Sequence, residues 1–169
     1  MKNLIIRAIT SPTLIYGIRC LLGFLVGYYL YTKYVDYELF WGLLSIILVI
    51  SPEEKDSRKL SMDRVKSNFI GCIVALICIY INPDDIVLMV GIGIVITIIV
   101  SKLLKMLNYA RVAIVALLII MIEPHHNALF LTPFFRFLTV AGGCFIGLFM
   151  VVTTSYLFKF LRNKFSIEE

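Results

Sequence analysis

Four arginines are the residues most able to do chemistry in this chain, because they lie in or beside long apolar stretches: Arg19, Arg64, Arg111 and Arg136. An arginine within the hydrocarbon layer costs about 2.5–3.5 kcal/mol on insertion scales, so its side chain usually faces protein or water. It stays charged at any working pH and can hold a carboxylate through two hydrogen bonds. These residues predict a site for an anion. The alternative is that they anchor helix ends at the membrane interface.

Aromatic residues crowd the region after the first apolar stretch. Tyrosines recur from Tyr28 to Tyr37, and Phe40 and Trp41 follow them. This pattern is typical of an aromatic belt at the membrane interface. The alternative is a lining that stacks on an aromatic substrate, with Trp41 as a binding residue.

The composition assigns the chain to the membrane class. Sixty per cent of its 169 residues are apolar and 16% are charged, and the mean hydropathy is +0.95. A soluble domain of this length cannot bury so much apolar surface, so lipid must solvate part of it.

The apolar runs allow either four or six membrane crossings. Three uncharged runs and a fourth that contains Arg19 are long, and two further runs are short of the roughly 30 Å hydrocarbon core. The long runs are 67–83, 86–101, 137–158 and about 13–32, and the short ones are 39–52 and 112–122.

The distribution of basic residues favours six crossings. With the N-terminus inside, 13 of the 16 lysines and arginines lie on the cytoplasmic side, as the positive-inside rule requires. Four crossings would place the basic stretches 55–66 and 102–111 outside. We therefore predict six helices with both termini in the cytoplasm.

The two halves of the chain read as copies that are offset by 72 residues. Five residue types recur at this offset without a gap, in the pairs Tyr37 and Tyr109, Pro52 and Pro124, Arg64 and Arg136, Gly71 and Gly143, and Cys72 and Cys144. Because each half has three crossings, the second must run opposite to the first. The sequence therefore predicts an all-α membrane protein with a single transmembrane domain, 1–169, of two inverted three-helix repeats, about 13–82 and 85–158.

The short second helix of each repeat is predicted to end at a proline, at Ser51-Pro52 and Glu123-Pro124. Short, interrupted segments at matching places indicate a permeation path. The alternative is that these prolines only end helices at the interface.

The remaining motifs point to no enzyme. Cys20, Cys72, Cys78 and Cys144 have no metal-ligand spacing and are interpreted as small packing residues. The pair His125-His126 is interpreted as solvated, and the mixed-charge segment Glu53–Lys66 as a cytoplasmic loop. Phosphate-binding, dinucleotide and hydrolase motifs are missing from the sequence. We expect no enzyme activity, no cofactor, no metal and no nucleic-acid partner.

Four stretches together resemble the fusaric-acid-resistance-like (FUSC) family, which includes bacterial aromatic acid exporters: Tyr16–Arg19, Phe40–Ser45, Val49–Pro52 and Arg64–Gly71. The family's arginine early in helix 1, its Trp opening to helix 2 and its arginine entrances to helices 3 and 6 map onto Arg19, Trp41, Arg64 and Arg136. The resemblance covers roughly 13–158. It implies export or conduction of small organic anions and a bacterial inner membrane. Because a six-helix bundle with two short helices is thin, and long members carry two such units in one chain, we predict a homodimer that packs partly through Gly143 and Gly147.

Two classes of function stay open. The first is a transporter or channel for small organic anions, aromatic or other carboxylates, in the direction of efflux. The second is a membrane interaction or sensor subunit that keeps the fold without the flux. The repeat, Arg19 and Arg136 favour the first. The second is supported by the scarcity of carboxylates that could couple transport to protons inside the apolar stretches.

The predicted topology can be tested with an Arg58→Cys variant. Residue 58 lies in a segment predicted to be cytoplasmic, so an impermeant thiol reagent should not modify it in intact cells. An Asp36→Cys variant in a predicted outer loop is the control and should be labelled. Labelling at residue 58 in intact cells contradicts the six-crossing topology.

Overall fold

A computed structural model of the chain describes residues 11–34, 39–82, 85–122 and 131–164, except the side chains of Leu161 and Lys164. These residues form helices and contain no strand, which confirms the predicted all-α class. The helices are α1 (Pro12–Lys33), α2 (Phe40–Val49), α3 (Glu54–Ile81), α4 (Ile86–Leu103), a 3-10 turn (Leu107–Tyr109), α5 (Ala110–Ile122) and α6 (Thr132–Lys164). The predictions for Glu123, Pro124, His125 and His126 lie outside the described residues.

Helix length separates the elements into two groups. Within the described residues, α1, α3, α4 and α6 are long and apolar enough to cross a membrane. The helices α2 and α5 have 10 and 13 residues, which corresponds to about 15–20 Å. Two short apolar helices were predicted, and this is confirmed, whereas their equivalence within a repeat stays a prediction.

One boundary was predicted wrongly. The segment Glu53–Lys66 is not a loop, because α3 begins at Glu54, ten residues before Arg64. Glu54 and Asp56 lie in its first turn, where negative charge interacts favourably with the helix dipole. The side chains of Glu54 and Arg58 form an ion pair at 2.7 Å one turn apart, which is a stabilising arrangement on a helix.

The chain folds into two compact units that do not coincide with the two sequence repeats. The first unit comprises residues 1–61 and 142–169, and the second comprises residues 62–141. The boundaries lie inside α3 and α6, so each unit contains helices from both repeats.

In each unit, the first helix of a repeat is buried along a single stripe with a spacing of four residues. The stripe of α1 consists of Ile15, Arg19, Gly23 and Gly27. The stripe of α4 consists of Met89, Gly93, Thr97 and Ser101. Such spacing keeps the side chains on one face of a helix. The other faces of α1 and α4 expose mainly large apolar side chains, which are suited to contact with lipid.

Both units have apolar cores to which the cysteines contribute. In the second unit, Cys72 and Cys78 pack with residues of α3, α4 and α5, including Leu117. In the first unit, Cys144 is fully buried and Cys20 packs against the cluster of Ile46, Ile50 and Val151. All four cysteines are free thiols, which confirms their interpretation as packing residues.

Glycines allow α6 and α2 to cross closely in the first unit. A Cβ atom at Gly143 would lie 2.9 Å from the Cα of Gly42, and one at Gly147 would lie 2.8 Å from the carbonyl oxygen of Ile46. We expected Gly143 and Gly147 to contribute to a homodimer interface. This expectation is wrong, since both residues pack on α2 of their own chain.

A glycine of α3 makes the equivalent contact in the second unit. A Cβ atom at Gly71 would meet the carbonyl oxygen of Ala113 and lie 2.9 Å from the Cβ of Ala116. Gly71 and Gly143 are partners in the sequence repeat. In one unit α3 therefore crosses α5 closely, and in the other α6 crosses α2 closely.

A neighbouring pair of glycines tests the importance of this close approach. We expect Gly143→Ala to destabilise the protein by about 1–3 kcal/mol, because the new methyl group must displace backbone. Gly142 is the matched control, since a Cβ atom added there would have no neighbouring atom within 4 Å. Gly142→Ala should be neutral or stabilise the helix by up to about 1 kcal/mol. Thermal unfolding of the purified variants in detergent distinguishes the two, and equal melting temperatures contradict the packing role.

Candidate functional site

Among the described residues of the first unit, Arg19 is the most deeply buried charged residue. It lies in the buried stripe of α1, and its side chain is only 4% exposed. The other three members of the stripe are an isoleucine and two glycines, so the guanidinium group has room beside α1. Of the two environments expected for this side chain, protein or water, the structure shows protein, and the role of Arg19 in binding an anion stays a prediction.

The guanidinium group of Arg19 makes four hydrogen bonds to two other parts of the chain. Its Nη1 donates to the carbonyl oxygens of Ser51 at 3.0 Å and Pro52 at 2.8 Å. Its Nε donates to Thr154 Oγ1 at 3.0 Å, and its Nη2 donates to Ser155 Oγ at 2.8 Å. These bonds use four of the five N–H donors of an arginine. Arg19 therefore joins α1, the α2–α3 connection and α6.

The local sequence leaves the carbonyl groups of Ser51 and Pro52 available as hydrogen-bond acceptors. The helix α2 ends at Val49, and Ile50 adopts an extended conformation with φ −68° and ψ 123°. Pro52 has no N–H group and disfavours the helical region for Ser51 before it. The last carbonyl groups around a helix end have no partner within the helix. Arg19 provides donors for two carbonyls that follow α2.

Serine side chains complete this connection. The backbone N–H of Ser51 donates to Ser57 Oγ at 2.9 Å, and the backbone N–H of Ser57 donates to the carbonyl oxygen of Glu53 at 3.2 Å. Ser57 is fully buried. A buried backbone group without a partner costs about 1–3 kcal/mol, so these bonds stabilise the connection between the two helices.

The acceptors of Arg19 are all neutral oxygens. Carbonyl and hydroxyl groups stabilise a cation but do not cancel its charge. The charged group that acts on Arg19 electrostatically is Glu54, and the carboxylate of Glu54 accepts hydrogen bonds from Arg58 at 3.0 and 2.7 Å. Arg19 therefore retains a positive charge beside the α2–α3 connection.

Trp41 lies in the first turn of α2, within the same unit as Arg19. It is partly buried, and its ring meets the ring of Phe40 edge to face with centroids 5.5 Å apart. Its carbonyl oxygen accepts a bond from Ser45 Oγ at 2.7 Å. The role of Trp41 as a binding residue stays a prediction.

The other three predicted arginines lie in the second unit. Arg136 is buried near the start of α6, with 3% of its side chain exposed. Arg64 is partly exposed within α3, and Arg111 is exposed near the start of α5. Of these three arginines, Arg136 is the buried one. The anion site predicted from Arg19, Arg64, Arg111 and Arg136 stays a prediction.

The sequence interpretation missed several polar partners. Thr154 and Ser155 were not singled out, although they form a hydroxyl pair in an otherwise apolar run of α6, and this pair is a usable signal. A second missed interaction is in the other unit, where the nearby Asp63 carboxylate raises the pKa of the Tyr109 hydroxyl. Asp63 lies within α3, in the segment that was interpreted as a loop.

The second unit also contains an open groove of about 150 Å³. Three phenylalanines and four other residues line it: Phe69, Cys72, Ile73, Leu76, Pro133, Phe134 and Phe137. The rings of Phe69 and Phe137 lie 5.4 Å apart. Its lining surface is entirely apolar. In the described part of the chain, no group of three or more His, Cys, Asp or Glu side chains is arranged to hold a metal ion.

A family model described as fusaric acid resistance protein-like matches residues 18–150. The chain belongs to this family. With its four long apolar helices, this makes it an integral, multi-pass membrane protein of a transporter-related family. The match includes Arg19 and its carbonyl partners Ser51 and Pro52, and it ends before Thr154 and Ser155. Comparisons with curated proteins and with solved structures found no match.

The hydrogen bonds of Arg19 predict that lysine cannot replace it. An Arg19→Lys variant keeps the charge but loses the planar fork that reaches separate partners. Since a hydrogen bond to a charged group contributes about 1.5–3 kcal/mol, we expect a loss of at least 2 kcal/mol, roughly, in the free energy of unfolding. Arg111→Lys, at an exposed position, should leave the stability unchanged. Equal stability of the two variants, measured by thermal unfolding in detergent, contradicts the role given to these bonds.

Proposed function

We propose that this protein is a transporter or channel for small organic anions, aromatic or other carboxylates, and that it works in the direction of efflux. The observation that supports this most is the buried charge of Arg19, which is bonded to neutral oxygens in a protein of a transporter-related family. A fixed positive charge in a region of low dielectric raises the local concentration of anions. In this proposal Arg64, Arg111 and Arg136 extend the favourable potential, and Trp41 contributes an aromatic surface.

The proposed architecture is six crossings in two inverted repeats, with both termini in the cytoplasm of a bacterial cell. The repeat-related contacts of Gly71 and Gly143 support it, because equivalent residues make close backbone contacts in the two units. The equivalent short helices α2 and α5 support it as well. We propose that the protein forms a homodimer and that the buried Gly143 and Gly147 lie outside its interface. We also propose that the protein is not an enzyme.

The proposal can be tested by anion flux in liposomes that contain the purified protein, with benzoate as the probe. We expect Arg19→Gln to reduce the initial flux per folded protein by about tenfold or more, on the scale of electrostatic focusing in clefts. Lys159→Gln is the control, since Lys159 is exposed near the end of α6, and it should conduct like the parent. Folded protein is quantified by size-exclusion chromatography before reconstitution.

Two outcomes contradict the proposal. If the Arg19→Gln variant folds and conducts like the parent, the arginine has no role in anion attraction. If the parent itself conducts no benzoate above empty liposomes, the alternative of an interaction or sensor subunit is favoured.

A further inference from the structure

The connection between α2 and α3 has the chemistry of a cation site. Where membrane helices are broken, free backbone carbonyls and the negative ends of helix dipoles commonly coordinate small cations. Here the carbonyl oxygens of Ser51 and Pro52 follow the end of α2, and the hydroxyl oxygens of Thr154 and Ser155 face the same group. Two carbonyl and two hydroxyl oxygens form a set of neutral oxygen ligands that suits a monovalent cation.

The side chain of Arg19 occupies this set of oxygen ligands. All four oxygens accept hydrogen bonds of 2.8–3.0 Å from the guanidinium group of Arg19. The two carbonyls share a single nitrogen, Nη1, whereas each hydroxyl binds a different one. This arrangement matches a planar cation with several N–H donors better than a spherical ion.

We propose that these four oxygens form a binding site for a guanidinium-type monovalent cation, and that the chain fills this site with its own Arg19. Because the cation is tethered to α1, it cannot dissociate, and the α2–α3 connection needs no free ion to satisfy its carbonyls. The proposal concerns a binding site and does not depend on whether the protein transports anions.

Chemical rescue tests the proposal directly. Truncation in an Arg19→Ala variant removes the tethered cation and leaves its four acceptors in place. Methylguanidinium should then bind and raise the melting temperature of the variant in detergent, by about 3–6 °C at ten times its dissociation constant. The parent and an Arg111→Ala variant should show no such rise at the same concentration. An equal shift in all three proteins, or none in Arg19→Ala, overturns the proposal.

The choice of cation tests the part played by the N–H donors. Tetramethylammonium carries the same charge without N–H groups, so it should not rescue the Arg19→Ala variant. Rescue by methylguanidinium alone supports the proposal. Equal rescue by tetramethylammonium or by sodium shows that the site recognises charge alone, and it overturns the assignment to a guanidinium-type cation.

A second pair of variants keeps the proposal testable if Arg19→Ala does not fold. Thr154→Val removes the acceptor of Arg19 Nε, and Thr153→Val is the matched control. Thr153 is exposed, and its hydroxyl donates to Phe149 within α6. Thr154 also donates within α6, to Met150 and Val151, so the two variants differ in the bond to Arg19. Thr154→Val should have the lower melting temperature by several degrees, and equal values contradict the proposal.

Discussion

The first unit depends on how the backbone between α2 and α3 is hydrogen-bonded. A carbonyl or N–H group that is buried away from water must find a partner in the protein. Arg19 solves this for two carbonyls after α2 and fixes α1 and α6 at the same point. One guanidinium group thus connects the inward face of α1 with the carbonyls after α2 and with Thr154.

The same constraint explains the small residues around this point. A guanidinium group can reach over α2 only if α1 lies close to it, and Gly23 and Gly27 permit this. A Cβ atom at Gly27 would lie 3.1 Å from Leu43 Cγ, and one at Gly23 would contact the side chain of Ile50. On the other side, Gly143 and Gly147 bring α6 against α2. The hydrogen bonds of Arg19 and the close packing of α1, α2 and α6 therefore depend on each other.

The sequence predicts the helices and the environment of single residues better than it predicts which residues form hydrogen bonds with each other. The all-α fold class follows from hydropathy, and the two short helices follow from hydropathy and proline chemistry. The cost of a charge in lipid predicts that Arg19 faces protein or water. The hydroxyl partner at Thr154 is 135 residues from Arg19, and no local pattern encodes such a pairing. The start of α3 was missed for a different reason, because mixed charges were interpreted as a loop, although Glu54 and Arg58 have the four-residue spacing of a helical ion pair.

The neutral character of the acceptors connects the structural and electrostatic roles of Arg19. A carboxylate partner would have satisfied the guanidinium group and also cancelled its charge. Carbonyl and hydroxyl oxygens satisfy its hydrogen bonds while the charge remains, and Glu54 already binds Arg58. Arg19 can therefore hold the α2–α3 connection together and still create a positive potential, which an anion can experience without touching the guanidinium group itself. A lysine would supply the potential without the connection, so the geometry requires arginine where the charge alone does not.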